Sequence, residues 1–289
     1  MELELDRVTK QYGSKIACDR ISITFKKGVY GLLGANGAGK TTLMRMMCGV
    51  LAPTSGTIRF NNIDVSHEDY RDALGYLPQD FGYYPEFSAM DFMLYIAALK
   101  GLPKPIARVK TWELLEQVSL EKEAKKKIKT FSGGMKQRLG IAQSMLNDPQ
   151  ILILDEPTAG LDPKERVRFR NLISRLGTDR IVLLSTHIVS DVEHIANTIL
   201  VMKDGEFIHQ GTRDGIIQAI DGKVWECMLS QSEADNLCEK YPVINLRQEG
   251  SGAVFVRLVS DEKPCASAVN TQATLEDLYL YYFSGVSEQ

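Results

Sequence analysis

At 289 residues, with 44% hydrophobic and 25% charged positions, the chain has an ordinary globular composition, which excludes disorder and leaves room for one large domain plus an appendage, or two modest domains. A net charge of −3 gives no general footing for nucleic acid or an anionic membrane. The five cysteines are widely spaced and lack a Cys-x-x-Cys pair, which fits reduced thiols rather than a disulfide frame or a zinc site.

The start Met1–Asp6 lacks the basic-then-apolar pattern of a secretory signal. Apolar runs such as Ile151–Leu154 and Ile181–Leu184 fall far short of the ~20 residues that span a bilayer. A soluble chain is therefore expected, any membrane part being supplied by another polypeptide.

In chain order, Ile21, Ile23 and Phe25 alternate with polar residues and Lys26-Lys27-Gly28 supplies a turn, so the N-terminal stretch reads as strands. Val29–Leu33 predicts a buried strand leading straight into a glycine-rich segment, and Thr41–Val50 has helical spacing. Pro53-Thr54-Ser55-Gly56 predicts a turn, and Thr57–Phe60 another strand. From about Phe87 to Asn147 the character turns helical. Ser88, three residues before Asp91, predicts a cap ahead of Phe92–Leu99, and Ile106–Val118 and Gly134–Leu146 predict two more helices. The basic run Lys125-Lys126-Lys127 with Lys129 reads as the solvated face of a helix.

From Ile151 the apolar runs Ile151–Leu154, Ile181–Leu184 and Ile199–Met202 alternate with helical stretches. The first of these helices is announced by Asp162-Pro163-Lys164-Glu165, which combines a cap, a first-turn proline and a reciprocal glutamate. The alternation predicts an α/β protein with a mostly parallel sheet and helices on both faces. Past Gln210 the pattern weakens, with Trp225–Leu229 and Ala253–Leu258 as candidate strands and Leu275–Phe283 as a short amphipathic helix. The expected division is one domain over 1–216, its helical part at about 84–148, and a small α/β appendage over 217–289 of unassigned role.

Gly34-Ala35-Asn36-Gly37-Ala38-Gly39-Lys40-Thr41 matches the Gly-x-x-x-x-Gly-Lys-Ser/Thr phosphate loop between a predicted strand and a predicted helix. Its glycines allow positive φ and bring backbone N–H groups around phosphates, while the following helix adds its N-terminal dipole. Lys40 would reach the β- and γ-phosphates and the Thr41 hydroxyl would ligate Mg²⁺, with Thr42 counted to the same nucleotide site. Further on, Ile151–Leu154 ends in Asp155 and Glu156. Ligands of such sheets bind at the carboxyl ends of the strands, which puts both acids beside the phosphate loop. Asp155 suits the Mg²⁺ shell, and Glu156 can polarise the attacking water.

Phe131-Ser132-Gly133-Gly134-Met135-Lys136-Gln137-Arg138 resembles the signature sequence of ATP-binding-cassette (ABC) ATPases. It also offers a helix N-terminus able to receive anionic oxygen. In the light of that resemblance, Tyr12 is similar to the aromatic that stacks on adenine, and Gln79 to the glutamine that senses Mg²⁺ and the γ-phosphate. Ala159-Gly160-Leu161-Asp162 is similar to the dimer-contacting loop, with Asp162 counted to the nucleotide interface, and His187 to the switch histidine at the γ-phosphate. These elements cover about residues 2–215.

The resemblance implies a P-loop NTPase (RecA-like) core with an N-terminal antiparallel β subdomain and an inserted α-helical subdomain. It also implies ATP and Mg²⁺ as ligands and a head-to-tail dimer, most simply a homodimer. Each site of that dimer would pair one subunit's phosphate loop and Glu156 with the other's Ser132, Gly133 and Gly134. Met135, Phe131 and Ala159 depart from the family pattern at or near that interface. The run after Leu275 and the two nucleotide motifs resemble bacterial multidrug and antibiotic-resistance export subunits. The implied partners are integral membrane permeases, with no nucleic acid, and the implied location is the cytoplasmic face of the cell membrane. An ABC ATPase acting on ribosomes or DNA, or an importer ATPase, stands as the alternative.

Overall fold

The computed structural model describes residues 1–250 and 252–283. It divides into two compact units, residues 1–209 and the remainder from 210, so the division falls before the expected boundary at 216.

The first unit opens with β1 (Leu3–Tyr12) and β2 (Lys15–Phe25), followed by β3 (Gly28–Leu33), which runs through the phosphate loop into α1 (Lys40–Met47). Then come β4 (Ser55–Phe60), β5 (Ile63–Asp64), α2 (Glu68–Asp72) and β6 (Leu74–Leu77). Three helices follow in succession: α3 (Ala89–Leu99), α4 (Lys104–Gln117) and α5 (Gly133–Ser144). Strands and helices then alternate through β7 (Ile151–Asp155), α6 (Pro163–Leu176), β8 (Ile181–Thr186), α7 (Val189–Ile195), β9 (Thr198–Lys203) and β10 (Glu206–Gly211).

β1, β2, β4 and β5 form an antiparallel sheet in the order β2-β1-β4-β5. A six-stranded sheet has the order β10-β9-β3-β8-β7-β6, with β9, β3, β8, β7 and β6 parallel. Every residue of β7 and β8 is buried; strands covered on both faces read as unbroken apolar runs, which is why Ile151–Leu154 and Ile181–Leu184 show no alternation. The main core lies between the two sheets, with Leu3, Phe25 and Ile58 on one side and Leu32, Ile153 and Leu183 on the other. α1 lies within that core, burying Leu43, Met44, Met46 and Met47. The buried apolar face of this helix anchors it against the core and so fixes the phosphate loop at its head.

Two local expectations are corrected. Asp162 caps α6 by accepting from the Glu165 N–H at 2.9 Å, with Pro163 in the first turn. Glu165 does not complete the reciprocal cap, because its carboxylate takes both Arg138 Nη2 at 3.0 Å and Nε at 3.1 Å. A two-pronged bond to a largely buried guanidinium is stronger than one backbone N–H, so the distant partner wins. The basic run Lys125–Lys127 lies in a turn rather than on a helix. There Lys127 and Lys129 both reach Glu86, each at 2.9 Å.

The second unit contains α8 (Arg213–Ile217), β11 (Val224–Leu229), α9 (Gln231–Lys240), β12 (Val243–Gln248), β13 (Val254–Val259), β14 (Val269–Asn270) and α10 (Leu275–Phe283). Its four strands form an antiparallel sheet in the order β12-β13-β11-β14. Cys227, Leu229, Ala234, Val256 and Leu258 make its own small core. Arg257 ties this unit together, reaching the buried Asp277 and Glu226 at 2.6 Å each.

Candidate functional site

The carboxyl ends of β3 and β7 open onto a cleft of about 460 Å³, within the size range of small-molecule sites. Tyr12, Lys15, Ala17, Asn36, Gly37, Gly39, Lys40, Thr41, Thr42, Gln79 and Glu156 line it. Gly34 and Ala38 stand behind this lining as buried members of the loop.

The loop's shape is set by its glycines. Gly39 has φ +108, and a Cβ there would come within 2.2 Å of the Ala17 carbonyl oxygen; a Cβ on Gly34 would come within 2.4 Å of the Met202 carbonyl oxygen. No side chain fits at either position. Lys40 is buried, and its ammonium donates to the carbonyls of Gly34 at 2.7 Å and Ala35 at 3.1 Å. Burial pulls the Lys40 pKa below its ordinary value, against the opposing pull of Glu156 and Asp155.

The two acids after β7 are held differently. Asp155 Oδ1 accepts from the Ser185 hydroxyl at 2.6 Å, while its Oδ2 is buried without a partner. A buried anionic oxygen left unpaired is costly. It is an acceptor that a hydrated divalent cation would satisfy, and the Thr41 hydroxyl and Gln79 that line the cleft offer oxygen of the kind such a hard cation prefers. Glu156 has φ +51, the left-handed region that a non-glycine residue enters only when its surroundings compel it. Its N–H donates to Ser185 Oγ at 2.9 Å, and that bond secures the turn. The Glu156 carboxylate then meets His187 Nδ1 at 2.8 Å. An ionised carboxylate only accepts, so in this contact Nδ1 is the donor; the His187 side chain is 52% exposed. His187 is itself oriented from the end of β8, where Thr186 Oγ1 accepts from the Ile188 N–H at 3.0 Å.

Ser185 and Lys15 are absent from the sequence-based site. Ser185 is fully buried and stands directly opposite Asp155 in the β7–β8 register. The available signal was a hydroxyl pair, Ser185-Thr186, ending an otherwise apolar strand. Tyr12 is half exposed at the mouth of the cleft, with Lys10 Nζ 5.3 Å from its ring centre.

Ser132, Gly133, Gly134 and Asp162 do not line this cleft. Ser132 caps α5, accepting from the Met135 N–H at 3.2 Å. A Cβ on Gly134 would meet Glu165 at 2.4 Å, and one on Gly133 would lie 3.9 Å from the Gly160 carbonyl. The glycine-rich α5 terminus and the 159–162 loop therefore form a second cluster, with Ser132, Gly133, Gly160 and Asp162 exposed. Phe131 is only 6% exposed and belongs to the core, so that departure from the family pattern has little surface to offer an interface.

The ABC transporter family matches residues 18–159. The ABC transporter ATP-binding protein YxlF of Bacillus subtilis (strain 168) is 39% identical over 88% of this chain and 85% of its own. The Nod factor export ATP-binding protein I of Paraburkholderia xenovorans (strain LB400) is 33% identical over 96% and 92%. The bacitracin transport ATP-binding protein BcrA of Bacillus licheniformis is 39% identical over 70% and 67%. Among solved structures, the dimeric structure of MJ0796, a bacterial ABC transporter cassette, superposes with a TM-score of 0.67 at 26% identity, covering 73% of this chain and 98% of that one. A post-hydrolysis state of the same cassette bound to ADP and Pi gives 0.66 at 25% identity over the same shares. A cleft built from a phosphate loop and an acid-tipped strand, in a chain 39% identical to an ABC transporter ATP-binding protein over 88% of its length, has one explanation: this protein belongs to the ABC transporter family as an ATP-binding, ATP-hydrolysing subunit.

Proposed function

We propose that the subunit powers export through separate membrane permeases by a cycle in which two copies close head-to-tail on ATP. The observation that carries the chemistry is the Glu156–His187 contact of 2.8 Å at the mouth of a loop already curled around Lys40. In this reading the N–H groups of residues 36–41 and the Lys40 ammonium cradle the phosphates, and Tyr12 receives the adenine. Thr41, Gln79 and Asp155 would hold Mg²⁺, which when bound offsets charge on the phosphates. Glu156 accepts a proton from the attacking water, and His187 holds that carboxylate in place while turning its Nε2 toward the γ-phosphate. Ser132, Gly133, Gly134 and Asp162 would complete the site of the opposite copy; the exposure of Ser132, Gly133 and Asp162 away from this chain's own cleft supports that arrangement. The printed names of relatives, Nod factor export and bacitracin transport, support export. We place the subunit on the cytoplasmic face of the cell membrane, bound to the permease. The division into a domain over 1–216 with a helical part at about 84–148 and an appendage over 217–289 belongs to the same reading.

Purification from detergent-solubilised membranes is expected to retain a multi-span membrane protein bound to this subunit. Recovery of ribosomal proteins without a membrane partner would overturn the transporter role.

Ser185 gives a second test. Ser185→Ala strands the Asp155 carboxylate without a protein partner and leaves the buried Glu156 N–H without an acceptor. The expected cost is about 2–4 kcal/mol of stability and a fall in turnover of roughly 10–100-fold, as for supporting bonds behind metal ligands. Thermal unfolding and steady-state ATPase rates measure the two effects, and ATP affinity should change much less than kcat. A variant as stable and as fast as the parent would show that Ser185 positions neither acid.

A further inference from the structure

Cys227 and Cys265 are 38 residues apart in sequence, yet their sulfurs stand 3.5 Å apart in the second unit. The sheet explains the meeting. β14 pairs with β11 through Glu226 opposite Val269 and Trp225 opposite Asn270, which brings the segment just before β14 alongside Cys227. A turn closed by the Ala268 N–H on the Cys265 carbonyl at 3.1 Å fixes that segment.

The two thiols have opposite surroundings. Cys227 is 2% exposed and belongs to the small core; burial first, then its contact with Cys265, pushes its pKa up to about 12. Cys265 is partly exposed. Partial burial works against its thiolate, but the Ser267 hydroxyl at 3.3 Å, the Cys227 thiol and the backbone N–H groups of Ser267 and Ala268 outweigh it. Its pKa is held below the ordinary thiol value. One sulfur is therefore reachable and the more readily ionised of the two, and the other is a protected thiol in contact with it. That is the arrangement of an attacking and a resolving cysteine.

We propose that Cys227 and Cys265 form an oxidisable dithiol whose substrate is a small hydroperoxide. The Cys265 thiolate, its proton already given up to solvent, attacks the peroxide oxygen, the O–O bond breaks, Cys265 becomes a sulfenic acid, and the leaving hydroxide takes up the proton that Cys265 lost to give the first water. Cys227 sulfur then attacks the Cys265 sulfur, the S–O bond breaks, and the leaving hydroxide takes the Cys227 proton as a second water. Two thiols are oxidised to one disulfide and one peroxide is reduced to two waters. The product links β11 to the segment before β14. The other cysteines offer no such pair: Cys18 and Cys48 are buried, and burial raises both of their pKa values.

The test treats the reduced, intact protein with hydrogen peroxide, blocks the remaining thiols under denaturing conditions and maps the peptides. The expected product is a Cys227–Cys265 linked peptide, lighter by two hydrogen atoms and restored by dithiothreitol, with two fewer free thiols than the five of the reduced chain. Cys227→Ser should accumulate a dimedone-reactive sulfenic acid on Cys265. Cys265→Ser should slow thiol oxidation by at least ~10-fold, while Cys238→Ser leaves it unchanged. Urea-unfolded wild type should lose the preference for Cys265. The proposal falls if Cys265 reacts no faster than Cys238 in the folded chain, or if wild-type Cys265 runs on to sulfinic acid with no linked peptide.

Discussion

Replacing Glu156 by Gln is expected to lower ATP turnover by about 10²–10⁴-fold, the range for loss of a positioned general base, while ATP affinity stays within a few-fold of the parent. Gln keeps the length and shape of the side chain, and the anchor that sets its backbone, the Glu156 N–H donating to Ser185 at 2.9 Å, does not involve the carboxylate. The left-handed turn at φ +51 should therefore survive. What disappears is the capacity to accept a proton, since a neutral amide oxygen is a far weaker base than a carboxylate. The cleft keeps every phosphate-binding group, so nucleotide should still load. With hydrolysis blocked, size-exclusion chromatography in ATP should show a larger dimer fraction than for the parent.

The rival assignment makes His187 the catalytic group and Glu156 its positioning residue. The 2.8 Å bond to Nδ1 would then be the whole of the Glu156 contribution. Under that assignment His187→Ala should cost more than Glu156→Gln, and the amide, which can still accept from Nδ1 through its oxygen, should preserve most activity. Near-parental turnover in Glu156→Gln would remove Glu156 as the base. Steady-state rates of both variants decide between the two.

The parts of the site that the sequence made legible are those whose residue type is dictated locally. A loop that needs φ +86 at Gly37 and φ +108 at Gly39 writes glycine at those positions, and a strand buried on both faces ends visibly where Asp155 and Glu156 begin. Ser185 belongs to the opposite case. Its role follows from lying beside Asp155 on the neighbouring strand, and serine at the end of a strand is otherwise unremarked. Glu165 was misassigned for the same reason, since its competitor Arg138 lies 27 residues away. In the second unit, α9 carries its start signal in plain view, with Ser230 and Glu233 satisfying each other. The exposed β12 was missed because an edge strand of a small sheet buries too little to impose a pattern. The Cys227–Cys265 contact could not be read from spacing at all, since only the β11–β14 register creates it.

Removal of the phosphate-loop lysine should produce the complementary defect, lost binding rather than lost chemistry. An ammonium group has three protons to donate. In Lys40 two of them are directed at the Gly34 and Ala35 carbonyls at 2.7 and 3.1 Å, so the loop is held curled before nucleotide arrives and the remaining proton is left for an anionic oxygen. Burial already disfavours the charged form of Lys40, and phosphate in the cleft would reverse that imbalance by supplying a negative partner at close range. Truncating one member of such a buried, hydrogen-bonded charge pair costs about 2–5 kcal/mol, so Lys40→Ala should weaken ATP binding by at least ~30-fold.

Lys40→Arg should fail as well, because a planar guanidinium cannot reproduce three tetrahedral donors in this geometry. Equilibrium titration with a fluorescent ATP analogue measures both variants beside Glu156→Gln. If Lys40→Ala binds nucleotide as tightly as the parent, the lysine serves only to fold its own loop. If it binds weakly while Glu156→Gln binds normally, the cleft separates into a phosphate-holding half on α1 and a water-activating half after β7, joined through the strands between them.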